Sequence, residues 1–383
     1  MQRALTIARR GLGRTAPNPS VGAVVFDPLR RLIVGEGVTA DGGRPHAEPL
    51  AIAAAGSSAH GATMAVTLEP CSHFGRSPPC ADAIVSAGLG RVIYALLDPD
   101  PRVSGRGLAR LRAAGIEAVP AGADFAEQAR WQMRGHILRM TERRPFVQIK
   151  IAVDRTGQIA EGRSGRPAWV TGALARRRGH LLRAEADAIV VGSGTVAADD
   201  PSLDCRLEGL QAHSPVRVVI GRAALPPAGK LYRAATSCPS AGPPVWHITA
   251  LNAAPAHASG EAWANGERIV APLVGGRIWL PAAMDALVAR GITRVLIEGG
   301  PRLWQAFAGH KLVDEIVVFQ ARAPHEDGGH RRAEPHDAIA AAQHAINRYC
   351  RGLNLVCVDH HPLGRDDMTI WRVPLPTLKA QPI

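Results

Sequence analysis

The stretch that decides the reading is His46-Ala47-Glu48, followed after a strand-like run by Pro70-Cys71-Ser72-His73-Phe74-Gly75-Arg76-Ser77-Pro78-Pro79-Cys80. One histidine and two cysteines supply three ligands suited to a tetrahedral Zn2+ with its fourth corner open to water. Glu48 stands two residues past the histidine, close enough to handle the protons of that water without occupying the metal. A purely structural zinc is closed by a fourth Cys or His, and His73 is the residue that would close it. In the order H-x-E, P-C, then a second Cys, the open catalytic site is the better reading.

Working outward, the first 143 residues alternate strand and helix patterns. Val21–Phe26 and Leu32–Glu36 read as a hairpin, 49–55 as a helix, 62–68 as a strand, 81–87 as a helix and 91–97 as a strand. Gly88 and Gly115 stand where helix C-caps need glycine. His46 therefore precedes one helix and Cys80 opens another, and a helix N-terminus favours thiolate over thiol. Met1–Arg14 is Arg-rich and free of acids, like a transit peptide. It reads better as a first helix, because Pro17-Asn18-Pro19 and a strand follow at once. A long helix, 125–140, leads to the polar, proline-ended stretch Thr141–Pro145, the expected boundary between domains 1–143 and 144–383.

The second half alternates again: strand 146–153, helix 173–183, strands 188–191, 216–220 and 244–249, helix 282–289, strand 294–297, helix 303–308, strand 315–319 and two C-terminal strands. Segments 222–243 and 321–346 read as loops. Gly192-Ser193-Gly194-Thr195 and Glu298-Gly299-Gly300-Pro301 each follow a strand, and such turns let a phosphate approach the backbone. Neither is a G-x-G-x-x-G fingerprint, and a strand-to-helix turn needs glycine in any case. The expected class is α/β with two domains.

The 383 residues are 46% hydrophobic and 20% charged, an ordinary globular composition. The net charge of +12 comes almost wholly from arginine, with lysine only at 150, 230, 311 and 379. It suits anionic small substrates. With aromatics at 4% and no run of five like charges, a single-stranded nucleic-acid groove is disfavoured. Cys205, Cys238, Cys350 and Cys357 are scattered, which argues for a reducing, cytoplasmic compartment rather than a disulfide framework. No apolar run reaches about 18 residues, so no membrane span is expected.

The H-x-E and P-C…C pattern resembles the zinc deaminases of amino-substituted heterocycles, in which a metal-activated water displaces an exocyclic amine. Nucleoside and tRNA deaminases carry C-x-x-C, whereas eight residues separate Cys71 from Cys80 here. Nearly end to end, the chain resembles the bifunctional riboflavin-biosynthesis deaminase–reductase family. The resemblance rests on Pro17–Gly22, the H-A-E, Thr67–Cys80 with its spacing, and Asp98-Pro99-Asp100-Pro101 with Val103, Gly105, Arg106 and Gly107. In the second half it runs through Trp169-Val170-Thr171, Leu182-Arg183-Ala184, Gly194–Pro201, Glu298–Pro301 and Leu312–Glu315.

The resemblance implies a cytidine-deaminase-like α/β/α first domain and a dihydrofolate-reductase-like second one. It implies zinc on His46, Cys71 and Cys80, with Glu48 as proton shuttle. Asn18, Arg76, Asp98 and Asp100 would line the pyrimidine and phosphate pocket. Ala152, Trp169, Thr195, Asp199, Gly299 and Gly300 would hold NADPH. Arg183, Leu203, Arg206 and Glu298 would hold the ribosyl-phosphate substrate, with Arg183 and Arg206 converging on the phosphate. Small phosphorylated pyrimidines are the implied partners, with neither nucleic acid nor membrane, and a homo-oligomer is expected.

Several positions depart from the family pattern. Asp100 replaces an Asn. Asp154-Arg155-Thr156-Gly157 replaces a Ser-x-Asp-Gly turn. Pro167 replaces a serine, Gly221-Arg222 replaces Asp-Ser, and Ala323–Gly329 replaces a Pro-Lys loop. Two other readings keep different classes open: a nucleic-acid (tRNA) deaminase, and a deaminase whose second domain binds without catalysing.

Overall fold

A computed structural model describes residues 1–75, 77–100, 104–159, 170–226, 229–232, 244–251, 266–322 and 335–374. Arg76, Pro167, Trp169, Cys238 and the 323–329 stretch lie outside the described residues. The chain divides into two compact units, Met1–Phe146 with Leu287–Thr293, and Val147–Ala286 with Arg294–Ile383. Each is α/β.

The first unit runs α1 (Gln2–Ala8), β1 (Gly22–Asp27), β2 (Leu32–Val38), α2 (Ala47–Ala55), β3 (Thr63–Val66), α3 (Cys80–Ser86), β4 (Arg91–Tyr94), α4 (Arg106–Ala113), β5 (Glu117–Pro120), α5 (Ala123–Gln132) and α6 (Arg134–Glu142). The sheet order is β2-β1-β3-β4-β5. The β1–β2 hairpin is antiparallel and β1 pairs antiparallel with β3, whereas β3, β4 and β5 are parallel. Parallel neighbours require helical crossovers, and α3 and α4 supply them. The apolar positions anticipated for α1, Ala4, Leu5, Ile7 and Ala8, are all buried. Met64, Val66, Ile84, Val92 and Leu111 form the core beside them.

The expected single helix 125–140 is two helices. Met133 takes φ −94° and ψ 13°, outside the helical well, and divides α5 from α6. Met133 is itself buried, so an apolar pattern ran unbroken across a backbone break.

The chain continues, mostly in the second unit, with β6 (Phe146–Val153), α7 (Ala173–Ala184), β7 (Ala188–Gly192), α8 (Ser193–Asp199), β8 (Val216–Ile220), β9 (Val245–Thr249), β10 (Gly266–Val270), β11 (Leu273–Val274), β12 (Arg277–Ile278) and α9 (Leu280–Ala289), the last of which ends in the first unit. Then follow β13 (Arg294–Ile297), α10 (Pro301–Gly309), β14 (Glu315–Ala321), α11 (Pro335–Tyr349), β15 (Val356–Leu363) and β16 (Asp366–Arg372). Nine strands form one sheet in the order β10-β9-β8-β7-β13-β6-β14-β16-β15. Its interior strands are near-continuous Val and Ile runs, as strands covered on both faces must be. Ile189, Val191, Val219, Leu296, Val317 and Phe319 meet in the core.

Segment 321–346 is not all loop. It includes most of α11, whose buried stripe is Ala338, Ala342, Ala345 and Ile346. A stripe so rich in alanine has the helical period but little hydrophobic contrast. The departing turn Asp154–Gly157 is well formed. Asp154 Oδ1 accepts the N–H groups of Thr156 at 2.8 Å and Gln158 at 2.9 Å, and Gly157 takes φ +77°. Gly221 also has a reason: a Cβ there would stand 2.2 Å from Ser193 Oγ at the start of α8.

Candidate active sites

In the first unit, the loop before α2 ends at His46, the residue flanking that helix, and Cys80 is the first residue of α3. The ligand atoms of His46, Cys71 and Cys80 all lie within 4.8 Å of one another. His46 Nδ1 is 3.3 Å from Cys80 Sγ and 3.7 Å from Cys71 Sγ, and the Cys80 backbone N–H donates to Cys71 Sγ at 3.3 Å. Without a cation the two sulfurs cannot both ionise. The hydrogen bond from Cys80 holds the Cys71 thiol down to about 4, and the same pairing pushes Cys80 up. A divalent cation removes that conflict by compensating both thiolates, so this donor set fits zinc.

Among the described residues the cluster has no fourth protein ligand. His73 is exposed and lines the adjoining cavity without joining the cluster. The corner is open, as a catalytic site requires. Glu48, in the first turn of α2, is 3% exposed, and burial pushes its carboxyl up to about 7. A carboxyl so placed exchanges protons near neutral pH.

A cavity of about 180 Å³ opens beside the cluster. It gathers Asn18, His46, Glu48, Cys71, Asp98 and Asp100, all anticipated from sequence. Asn18 Nδ2 donates to the Gly43 carbonyl at 2.8 Å, which fixes its amide. His136, Arg139 and Met140 of α6 also line it, and nothing in the motif-bearing segments signalled them. Glu69 was in plain view inside the quoted stretch but had no role assigned. Its buried carboxylate accepts backbone N–H groups from Asp98 at 3.3 Å, Gly105 at 2.9 Å, Gly107 at 3.0 Å and Leu108 at 3.4 Å. It thereby ties the Asp98 loop and the start of α4 to the turn that carries Cys71.

The second unit holds a larger cavity, about 390 Å³. Ala152, Thr195, Asp199, Arg183, Leu203, Arg206 and Glu298 all line it. Gly299 and Gly300 follow Glu298 into α10 without lining it. Leu203 and Asp200 have positive φ, 55° and 40°, an unfavourable state for side chains with a Cβ and one found at functional sites.

The centre of this cavity is ionic. Arg183 Nε and Nη2 grip Glu298 at 2.7 and 2.9 Å, Nη1 donates to the Asp204 carbonyl at 2.9 Å, and Lys150 Nζ adds a third contact to Glu298 at 3.0 Å. Burial pushes the Glu298 carboxyl up, but Arg183 and Lys150 outweigh it and hold it far below the usual range. All three Arg183 donor nitrogens have protein partners, whereas the Arg206 side chain is 53% exposed. Of the two arginines expected on the phosphate, Arg206 keeps the freer guanidinium. Its neighbour His180, also missed in the sequence, lines the same cavity. A cavity with the outward cations Arg206 and Lys230 and the Thr195 side chain in its lining suits an anionic cofactor and substrate, and so fits NADPH.

Comparison with known proteins matches a family to each half of the chain. A family model described as the cytidine and deoxycytidylate deaminase zinc-binding region matches residues 1–96. One described as the RibD C-terminal domain matches residues 145–332. The riboflavin biosynthesis protein RibD of Aquifex aeolicus is 38% identical over 321 residues, 84% of this chain and 85% of that protein. The solved structure of Acinetobacter baumannii RibD superposes with a TM-score of 0.75 at 30% identity, covering 98% of both chains. That of a Thermotoga maritima diaminohydroxyphosphoribosylaminopyrimidine deaminase/5-amino-6-(5-phosphoribosylamino)uracil reductase has a TM-score of 0.76 at 29% identity, covering 98% of this chain and 97% of the other.

Proposed function

The chain belongs to the RibD family of riboflavin-biosynthesis proteins, and on that premise we propose that it is a bifunctional enzyme with a deaminase in residues 1–143 and a reductase in residues 144–383. The first activity converts the 2-amino group of 2,5-diamino-6-ribosylamino-4(3H)-pyrimidinone 5′-phosphate to a carbonyl and releases ammonia. The second reduces the ribosyl side chain of that product to ribityl. The observation that carries the reading is the three-ligand cluster with the buried Glu48 beside it at the mouth of a polar cavity.

His46, Cys71 and Cys80 would hold the zinc, which would supply Lewis-acid chemistry beside the cavity. Glu48 takes a proton and passes it to the departing amino nitrogen, a role its raised affinity for protons suits. Asn18, Asp98 and Asp100 orient the pyrimidine, and Arg76 contributes to the phosphate end. In the second unit NADPH supplies the reducing equivalent. Ala152, Trp169, Thr195, Asp199 and the Gly299-Gly300 turn hold that cofactor. Leu203 and Glu298 shape the substrate side, and Arg206 takes the phosphate with a charge-assisted contact. Arg183 acts there mainly by fixing Glu298.

A nucleic-acid deaminase is not favoured, because the likeness to RibD runs through both halves. Among the described residues no helix is long and apolar enough to cross a membrane. A cytoplasmic homo-oligomer completes the proposal, and light scattering on the purified chain checks the assembly.

The test measures ammonia release and zinc content together. Glu48→Gln should keep one zinc per chain and lose most turnover; Cys71→Ser should lose the metal itself. Near-normal activity in Glu48→Gln would sink the assignment. NADPH oxidation by the full chain with the deaminated substrate tests the second half.

A further inference from the structure

The first cavity has a wall that neither the metal cluster nor its flanking motifs provide. That wall is α6, downstream of residues 1–96, where the zinc-binding family model matches. His136 and Arg139 lie three residues apart on one helical face. Both line the cavity with Glu48, Asp98 and Asp100.

The His136 side chain is only 11% exposed, yet neither ring nitrogen has a hydrogen-bond partner among the described residues. Its Nε2 lies 3.6 Å from Asp98 Oδ1, within ion-pair range but too long for a hydrogen bond. Arg139 Nε is likewise buried and without a partner among the described residues. Buried polar atoms in native proteins are nearly always satisfied, so two such groups on one cavity wall point to a ligand. Three other polar groups of this cavity already have partners within the protein. Arg44 Nη1 donates to Ser77 Oγ at 2.5 Å, the Glu69 carboxylate is taken by backbone N–H groups, and Asp98 Oδ1 accepts the Asp100 N–H at 2.9 Å.

We propose that α6 is the substrate-discriminating wall of the deaminase: His136 hydrogen-bonds the polar edge of the pyrimidine beside Asp98, and Arg139, about one turn further on, takes the phosphoryl oxygens of the ribosyl phosphate. The carboxylates in the cavity would repel a phosphate dianion; Arg44 and Arg139 both line the cavity, and the Arg139 fork, on the α6 wall beside His136, is placed to offset them. The replacement of the family's Asn by Asp100 makes that cation more necessary. This inference rests on the deaminase reading above.

The test uses full-length variants and two substrates, the diaminopyrimidine ribosylamine with and without its 5′-phosphate. Arg139→Ala should raise KM for the phosphorylated substrate at least tenfold and leave the dephosphorylated one unchanged, with Arg139→Lys recovering part of the loss. His136→Phe should lower kcat/KM at least tenfold on both, and His136→Gln should restore part. Zinc content and reductase turnover confirm that the variants fold. An Arg139→Ala penalty equal on both substrates, or absent, overturns the phosphate subsite, and a neutral His136→Phe overturns the ring contact. A second readout does not depend on turnover. In an Arg206→Ala background, calorimetric binding of ribose 5-phosphate should be lost on adding Arg139→Ala. Binding that is lost in a chain that never deaminates means that the deaminase reading fails while the subsite stands. Binding that persists means the subsite fails.

Discussion

Glu298 shows how one residue can be both a stability element and a site element. It is nearly buried, yet carries full charge because Arg183 and Lys150 meet it from two sides. Removing one partner of such a pair leaves a buried charge undercompensated. Arg183→Met should therefore lower the unfolding free energy by about 3 kcal/mol, read in urea melts, while Arg206→Ala, on an exposed side chain, should leave stability nearly unchanged and raise KM for the phosphorylated reductase substrate. A stable Arg183→Met chain would mean that the triad matters only for binding. His180 offers a pH signature of the same pocket. Burial, reinforced by Arg183 and Arg206, lowers its pKa from the ordinary 6.5 to about 4. Between those values the unfolded chain binds the proton and the folded chain does not, so the His180 contribution to stability is lost as pH drops from 6.5 towards 4, while Glu48, raised to about 7, contributes in the opposite direction. His180→Asn should flatten that slope in denaturation curves. Glu298 does not blur the window, because its contribution is lost only below the ordinary value of 4.5.

Between elements, Glu69 acts as a strap. One carboxylate collects backbone N–H groups from the Asp98 loop and the first turn of α4, and Cys71 lies two residues further along the same turn. Glu69→Gln keeps the shape but replaces one oxygen acceptor by a donor that faces N–H groups. It should cost about 2 kcal/mol and speed hydrogen exchange at Gly105 and Gly107; unchanged protection there would count against the strap. Gly107 is bound to the same turn, since a Cβ would stand 1.9 Å from the Pro70 carbonyl oxygen. Gly107→Ala should displace that turn and lower zinc content, measured by metal analysis. Such couplings explain what could and could not be read in the chain. The metal ligands and Glu48, with His46 and Cys80 at helix starts, were legible because the chemistry fixes residue type and spacing. Glu69 was visible but mute, since its partners are backbone groups that no side-chain pattern records. His136 and Arg139 were hidden in an ordinary amphipathic helix, and α11 was hidden by its alanine stripe. The break at Met133 left no polar or proline mark at all.

At the scale of the molecule, the alternation of strands and helices announced α/β architecture in both halves, but not the order of nine strands in the second sheet. That order places β13 between β7 and β6, neither its neighbour in sequence, and long-range pairing is not encoded in local pattern. Nor did any signal assign Leu287–Thr293 to the first compact unit. Each unit has its own apolar core, Met64, Ile84 and Leu111 in one and Ile189, Val219 and Phe319 in the other. Among the described residues no disulfide ties the chain, and the cysteines there are free thiols. The zinc ligands belong wholly to the first unit, and the Arg183–Glu298–Lys150 triad wholly to the second. Metal binding is coupled to the folding of the unit that holds it, so stripping zinc with a chelator acts on one half. Ammonia release should disappear and return on adding zinc back. NADPH oxidation with the deaminated substrate should continue at close to its original rate throughout. Loss of both activities together on chelation would show that the second unit depends on the first for its working structure, and that the separate cores do not make separate enzymes.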